Sequence, residues 1–203
     1  MLNNLSVTYI AYALITIVIS LSIHEAMHAY AAHALGDTTA QDMGRLSLNP
    51  LKHIDPLTTV ALPIITLILF HVPILAARPV PFNPTRVKYN EFGGAIIAAA
   101  GPLSNLVLAI IGALLIHLTT NAALFNFLDT FIVLNVALFI FNILPIPPLD
   151  GSRVLYAFAP EPLQEFMRQI EPYGLFIVFG LVLTGVLTSL MINLSNDILR
   201  LLP

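Results

Sequence analysis

The chain of 203 residues contains no cysteine. That excludes disulfides and any thiolate metal site, so a metal ion here must be held by His, Asp or Glu. Charge is also scarce. Only 9% of the residues are charged, against roughly 25% in a soluble domain. There is no basic run and the net charge is only -3, so no nucleic-acid partner is expected. The opening stretch, MLNNLSVTY, lacks the basic region of a cleavable signal peptide. No internal repeat, low-complexity linker or soluble domain interrupts the sequence. What is present in abundance is apolar: 58% of residues are hydrophobic and the mean hydropathy is +0.89. The expected environment is a lipid bilayer, and the expected organisation is a single integral-membrane domain over 1–203.

Hydropathy predicts spans at 7–35, 94–118, 128–144 and 172–192, each near the roughly 20 apolar residues that a bilayer requires. Gly36-Asp37 supplies a helix stop after the first span. Residues 57–76 are apolar but broken by Pro63 and Pro73, and residues 193–203 read as an amphipathic tail. Residues 44–50 alternate polar and apolar like a short strand, and residues 78–84 carry too many prolines for a helix. The expected fold class is an all-α polytopic membrane protein with four transmembrane helices, a proline-broken segment at 57–76 and short extended segments near the active site.

The first span ends in His24-Glu25-Ala26-Met27-His28. On a helix this HExxH pattern turns two imidazoles to one face, at i and i+4, where both reach one metal ion. The Glu beside the first His is then placed as general base toward an attacking water. Residues 9–23 carry no charge at all. Ionisable groups at membrane depth are costly and are retained for function.

Hydrolytic zinc sites take three protein ligands and leave one position open. His33 lies five positions past His28, which rotates it about 140° away from the pair. Glu91 is the next glutamate after Glu25 but sits in a charged loop. Asp150 closes an apolar span behind Pro145, Pro147 and Pro148, and Gly151 follows it. The prolines unwind the helix and the glycine permits a tight turn, so this carboxylate is the strongest candidate. His53, with Asp55, is expected at the membrane interface, as are His71 and His117.

HExxH in one membrane helix, with Asn142, Pro145 and Leu149-Asp150-Gly151 in a later one, resembles the paired signature of the site-2 proteases, the intramembrane zinc metalloproteases. Gly101-Pro102-Leu103-Ser104-Asn105 looks like a third element of that family. Residues 49–56 (NPLKHIDP) and 79–84 (PVPFNP) resemble its compact prokaryotic branch, which has no PDZ or CBS modules. The resemblance implies one Zn²⁺ per chain on His24, His28 and Asp150, and Glu25 as general base. It also implies that Asn142 and Asn105 face the active site, where they would bind substrate backbone or the oxyanion.

The ligands lie near the C-terminal ends of their two helices, so those helices must run parallel to share a metal. An odd number of crossings must then separate them. This argues that 57–76 is re-entrant and does not cross. Arg45, Lys52, Arg78, Arg86, Lys88, Arg153 and Arg168 then share the metal's side and Arg200 lies opposite, which makes the metal side cytoplasmic. The expected location is a prokaryotic cell membrane.

The function that fits is an intramembrane zinc endopeptidase. It would cut a peptide bond in or near a transmembrane segment of a membrane-anchored protein, in regulated intramembrane proteolysis or remnant-peptide clearance. A divalent-cation (zinc) transporter would also place His and Asp in apolar helices. It needs a continuous polar path, however, and has no use for a glutamate set as a base. An inactive membrane scaffold conflicts with the intact HExxH and Asp150. GxSx and GxGD motifs are both missing, which disfavours serine and aspartyl intramembrane proteases.

Overall fold

The computed structural model describes residues 7–53 and 81–203. Its helices are α1 (Val7–Ala34), α2 (Thr39–Asp42), α3 (Asn90–Ile116), α4 (Ala122–Ile143), α5 (Asp150–Phe158), α6 (Glu161–Ile170), α7 (Gly174–Leu183) and α8 (Val186–Leu201), with 3-10 turns at Pro50–Lys52 and Glu171–Tyr173. Four helical stretches are long and apolar enough to cross a membrane: Val7–Ala34, Asn90–Ile116, Ala122–Ile143 and Glu161–Leu183. The protein is an all-α integral membrane protein.

Its helices are inverted relative to those of a soluble bundle. On α1 the buried positions are small or polar: Thr16, Ser20, Ser22, His24, Glu25, Ala26, His28, Ala29 and Ala32. The large aliphatic residues Leu14, Ile15, Val18 and Ile19 face outward. In lipid no hydrophobic force drives helices together, so small residues that let backbones approach, and polar groups that bond across, supply the contacts. A second core, formed by Ala109, Ala113, Ile132, Val136 and Ile140, joins α3 to α4 and is covered by Met191, Ile198 and Leu199 of α8.

The end of α1 matches the sequence signal. Gly36 adopts a left-handed φ of 101°, which suits a glycine C-cap, and the Asp37 amide donates back to Ala32 O at 3.0 Å. Asp37 is fully buried. Its carboxylate accepts from Thr39 Oγ1 at 2.6 Å, Thr39 N at 3.1 Å and Asn83 N at 2.6 Å. Burial alone would raise the Asp37 carboxyl, but these hydrogen bonds and the Arg86 charge outweigh it and hold the group below its ordinary range. Lys88 N donates to Leu35 O at 2.9 Å. The chain on both sides of 54–80 is therefore fastened to the same end of α1. Residues 57–76 themselves lie outside the described residues.

Two expectations need correction. No strand occurs among the described residues, including the extended segments expected near the site. In 44–50 the polar groups close local turns instead: Gly44 N bonds Gln41 O, Arg45 N bonds Ala40 O, and Asn49 Oδ1 caps the turn at Leu51 N. Of 78–84, residues 81–83 have no regular structure, Asn83 N being taken by the Asp37 side chain, and 78–80 lie outside the described residues. The second correction concerns the last span, which is not one helix over 172–192. Thr184 N and Gly185 N close onto Gly180 O and Val182 O, and Gly185 turns left-handed at φ 74°. The helix stops there and α8 begins, absorbing the expected tail. The charged residues Glu161, Glu165 and Arg168 fall in α6, ahead of the apolar α7. The start of α7 at Gly174 lies against Pro147, and the chain then runs through α7 and α8 to Pro203, whose carbonyl meets His117 Nε2 at 3.2 Å.

Candidate metal centre

α1 presents His24, Glu25 and His28 to the interior, at 4%, 7% and 8% exposure. Asp150 arrives from the other direction. α4 ends at Ile143, the proline-rich stretch turns the chain, and Asp150 is the first residue of α5. Leu144 and Leu149, at either end of that stretch, are pinned in a small core with Val178 and Leu187. Gly151 is needed for closeness more than for a turn. A Cβ there would lie 2.6 Å from Leu144 O and nearer still to Ile143 O, so only glycine lets the first turn of α5 seat against the end of α4.

One ligand-type atom from each of His24, His28 and Asp150 lies within 4.8 Å of the others. The separations are 3.0 Å between the two Nε2 atoms, 3.2 Å from His24 Nε2 to Asp150 Oδ2 and 3.4 Å from His28 Nε2 to the same oxygen. The far side of each ring fixes its tautomer. His24 Nδ1 donates to Asn105 Oδ1 at 2.7 Å, and His28 Nδ1 donates to Ile97 O at 2.7 Å. With both protons on Nδ1, both Nε2 atoms carry lone pairs. In that neutral form two imidazole lone pairs and a carboxylate oxygen converge, a donor set that a cation at its centre would satisfy. Tetrahedral zinc with ligands at about 2.0–2.1 Å sets them roughly 3.3 Å apart, the spacing seen here.

α3 supplies no ligand but sets the room available. A Cβ on Gly101 would lie 2.7 Å from His24 Nε2 and closer still to His28 Nε2, so the bare backbone leaves free the volume that an ion needs. Glu25 Oε2 is buried and lacks a hydrogen-bond partner among the described residues. An unpartnered carboxylate oxygen one residue from a candidate ligand is suited to taking a proton.

Asn105 is fully buried, and besides accepting from His24 its Nδ2 donates to Asn135 Oδ1 at 3.1 Å and to Ser20 O at 3.4 Å. Asn142 is half-buried and its Nδ2 donates to Leu138 O of its own helix at 2.9 Å. His33 and Glu91 are exposed and stand apart from the ligand triangle. Sequence reasoning missed Asn135 altogether. The structure buries His53 to 3% exposure, with Nε2 donating to Ser47 O at 2.7 Å and Nδ1 unpartnered among the described residues. The burial follows from the turn at 47–53, which no hydropathy scan registers. Beside α5, a cavity of about 610 Å³ opens between Phe82, Glu91 and Gly94 on one side and Arg153, Tyr156 and Glu171 on the other.

A family model described as peptidase family M50 matches residues 117–185, which include Asn142 and Asp150. A Bacillus subtilis (strain 168) protein named "Putative zinc metalloprotease YwhC" is 38% identical over 200 residues, covering 92% of this chain and 88% of that relative. The chain belongs to peptidase family M50. This is the site-2 protease family, and the protein is a membrane metalloprotease of that type. The YwhC match leaves too few residues outside it to omit either the histidine pair or Asp150. "Putative zinc metalloprotease Rip2" of Mycolicibacterium smegmatis is 31% identical over 179 residues, 83% of this chain and 65% of the relative. A protein of the same name from Mycobacterium tuberculosis (strain H37Rv) is 28% identical over 169 residues, 81% of this chain and 63% of the relative. No solved structure matches the chain.

Proposed function

We propose that this protein is an intramembrane zinc endopeptidase that hydrolyses a peptide bond in or near a transmembrane segment of a membrane-anchored protein. The observation that carries the reading is the convergence of three ligand-type atoms, from His24, His28 and Asp150, inside a bundle whose outer surface is apolar. We assign all three as the metal ligands. Zinc, when bound, acidifies a water molecule and polarises a carbonyl. The protein's own residues do the rest. Glu25 takes the proton from the attacking water through its unpartnered oxygen and passes it to the leaving amine. Asn105 and Ile97 O hold the rings so that Nε2 faces inward. Leu149 and Gly151 set Asp150 at the third corner.

A substrate helix buries its carbonyls in hydrogen bonds, so the scissile segment must be unwound before attack. The cavity beside α5, whose Arg153 follows Asp150 by one turn, offers mixed polar and apolar walls to such a segment. Asn142, at the end of α4, is assigned to the substrate backbone. The active site faces the cytoplasm of a prokaryotic cell on this reading: Arg45, Lys52, Arg86, Lys88, Arg153 and Arg168 lie toward the metal end and Arg200 toward the other. The biological role is regulated intramembrane proteolysis or clearance of remnant signal peptides.

The test is Glu25→Gln in the purified protein. It should retain zinc and lose cleavage of a membrane-anchored reporter by about 10²–10⁴-fold or more. Cleavage near the wild-type rate would overturn the assignment of Glu25 as base. Zinc flux into liposomes, abolished by Asp150→Ala in a protein that cuts nothing, would replace protease by transporter.

A further inference from the structure

Asn135 of α4 is fully buried and touches none of the ligands, yet its hydrogen bonds lead to one. His24 can ligate through Nε2 only if its proton sits on Nδ1, which requires an acceptor opposite Nδ1. Asn105 provides that acceptor, but an amide can turn over and present Nδ2 instead. A turned Asn105 would donate to Nδ1 and force the proton onto Nε2, where it blocks ligation. The groups facing the other side of the Asn105 amide prevent this. Asn135 Oδ1 at 3.1 Å and Ser20 O at 3.4 Å are both acceptors, so that side must be the NH₂. Asn135 is oriented in turn, since its Nδ2 donates to Phe131 O at 2.8 Å, a carbonyl fixed by its helix.

The chain therefore reads in one direction only: Phe131 carbonyl, Asn135 amide, Asn105 amide, His24 imidazole. His28 needs no such chain, because its Nδ1 meets the Ile97 carbonyl directly. We infer that Asn135 is a positioning residue of the metal centre, acting through Asn105 to hold His24 in the tautomer that binds zinc. It reaches from α4 through α3 to α1 and lies outside the NxxPxxxLDG and GPLSN elements. The inference rests on the reading of His24, His28 and Asp150 as zinc ligands.

The experiment is chelator competition for zinc with the full chain in detergent micelles. Partners behind a metal ligand typically contribute 10–100-fold in metal affinity. Asn135→Leu, which removes the acceptor, should weaken zinc binding by about tenfold. Asn135→Asp should stay near wild type, because ionised or protonated it still offers Asn105 an acceptor. Asn105→Leu should weaken binding, and adding Asn135→Leu to it should change nothing further. If Asn135→Leu does not fold, Asn135→Ala removes the same acceptor without adding volume and reads the same quantity. A folded Asn135→Leu or Asn135→Ala with wild-type affinity would overturn the inference. So would an Asn135→Asp as weak as Asn135→Leu, or losses that add in the double variant. His24→Ala serves as the control: if it kept full zinc, the ligand reading itself would fall.

Discussion

Gly101→Ala adds one methyl group to α3, and its position is fixed by the backbone. The new carbon would sit 2.7 Å from His24 Nε2 and closer still to His28 Nε2. Non-bonded heavy atoms rest about 3.5–4.0 Å apart, so the two rings would have to withdraw by roughly 1 Å. They have little freedom to do so, since each is held at 2.7 Å through Nδ1. A retreat of that size is about half the length of a zinc–nitrogen bond of roughly 2.0–2.1 Å. It would remove at least one ligand from range. We expect zinc affinity to fall by about 10²-fold or more, equivalent to about 2.8 kcal/mol at roughly 1.4 kcal/mol per tenfold. Reporter cleavage should fall at least as far. Helix propensity pulls the other way, because alanine is favoured over glycine by up to about 1 kcal/mol. Gly94→Ala separates the two effects. It lies on the same helix, and a Cβ there meets nothing within 4 Å. It should keep wild-type zinc and an equal or higher unfolding midpoint, while Gly101→Ala remains folded and binds zinc poorly. The assay is metal analysis and chelator competition on both proteins in the same detergent. A folded Gly101→Ala with wild-type zinc affinity would show that the metal does not occupy the space between the two Nε2 atoms, and the ligand assignment would have to be abandoned.

His24→Ala, His28→Ala and Asp150→Ala should each lower zinc content measured by elemental analysis, while His33→Ala leaves it unchanged; full zinc in Asp150→Ala would return attention to Glu91. Asp37→Asn should lower the unfolding midpoint at pH 7, by about 1–2 kcal/mol in stability, because a charged acceptor of several hydrogen bonds becomes neutral. The Asp37 carboxyl is held below its unfolded value, so its contribution is complete above the unfolded pKa and disappears as pH falls through the folded one. The gap between the two proteins should therefore narrow as pH falls below the unfolded value, and a gap unchanged by acid would refute the carboxylate argument. Single cysteines at Asn49 and Asn83, on a chain with no native cysteine, should label from the same face of the membrane and one at Asn121 from the opposite face. Opposite labelling of Asn49 and Asn83 would contradict the fastening of Leu35 to Lys88.

The parts of this protein that were legible in its sequence are those whose geometry is fixed over a few residues. Helical periodicity alone sets His24 and His28 on one face, and Gly36 stops α1 through a local backbone conformation. Asp150 stood out only beside the histidine pair: alone, an acid behind three prolines at the end of an apolar run passes for a solvated helix end, but a two-histidine site needs a third ligand. The break at Gly185 was missed because one glycine in an apolar run looks like any membrane glycine. It stops the helix through the amide bonds of Thr184 and Gly185, which composition does not record. The expected strand at 44–50 failed for a related reason: alternation says which groups are polar, not whether they bond across a ladder or, as here, within a turn. Asn135 and the steric role of Gly101 depend on how three helices are rotated against one another, and nothing within a single helix encodes that rotation.

That division bears on how the metal centre is built. Lacking cysteine, the chain must draw on ligands that each have a second protonatable or polar atom, and in the two histidines that atom, Nδ1, is given a partner inside the bundle. α1 and α5 bring the proposed ligands, but α3 answers most of the remaining requirements. Asn105 and the Ile97 carbonyl set the two imidazole protons, and the absence of a side chain at Gly101 leaves the volume. On the proposed ligand assignment, the helix with no ligand thus shares control over metal affinity with the helices that carry them. A shift of α3 by a fraction of an ångström along its axis would loosen both Nδ1 hydrogen bonds together, because Ile97, Gly101 and Asn105 lie on successive turns of one face. Anything that moves α3, whether a substrate helix docking against it or a substitution in its outer surface, acts on both histidines at once and not on one ligand alone.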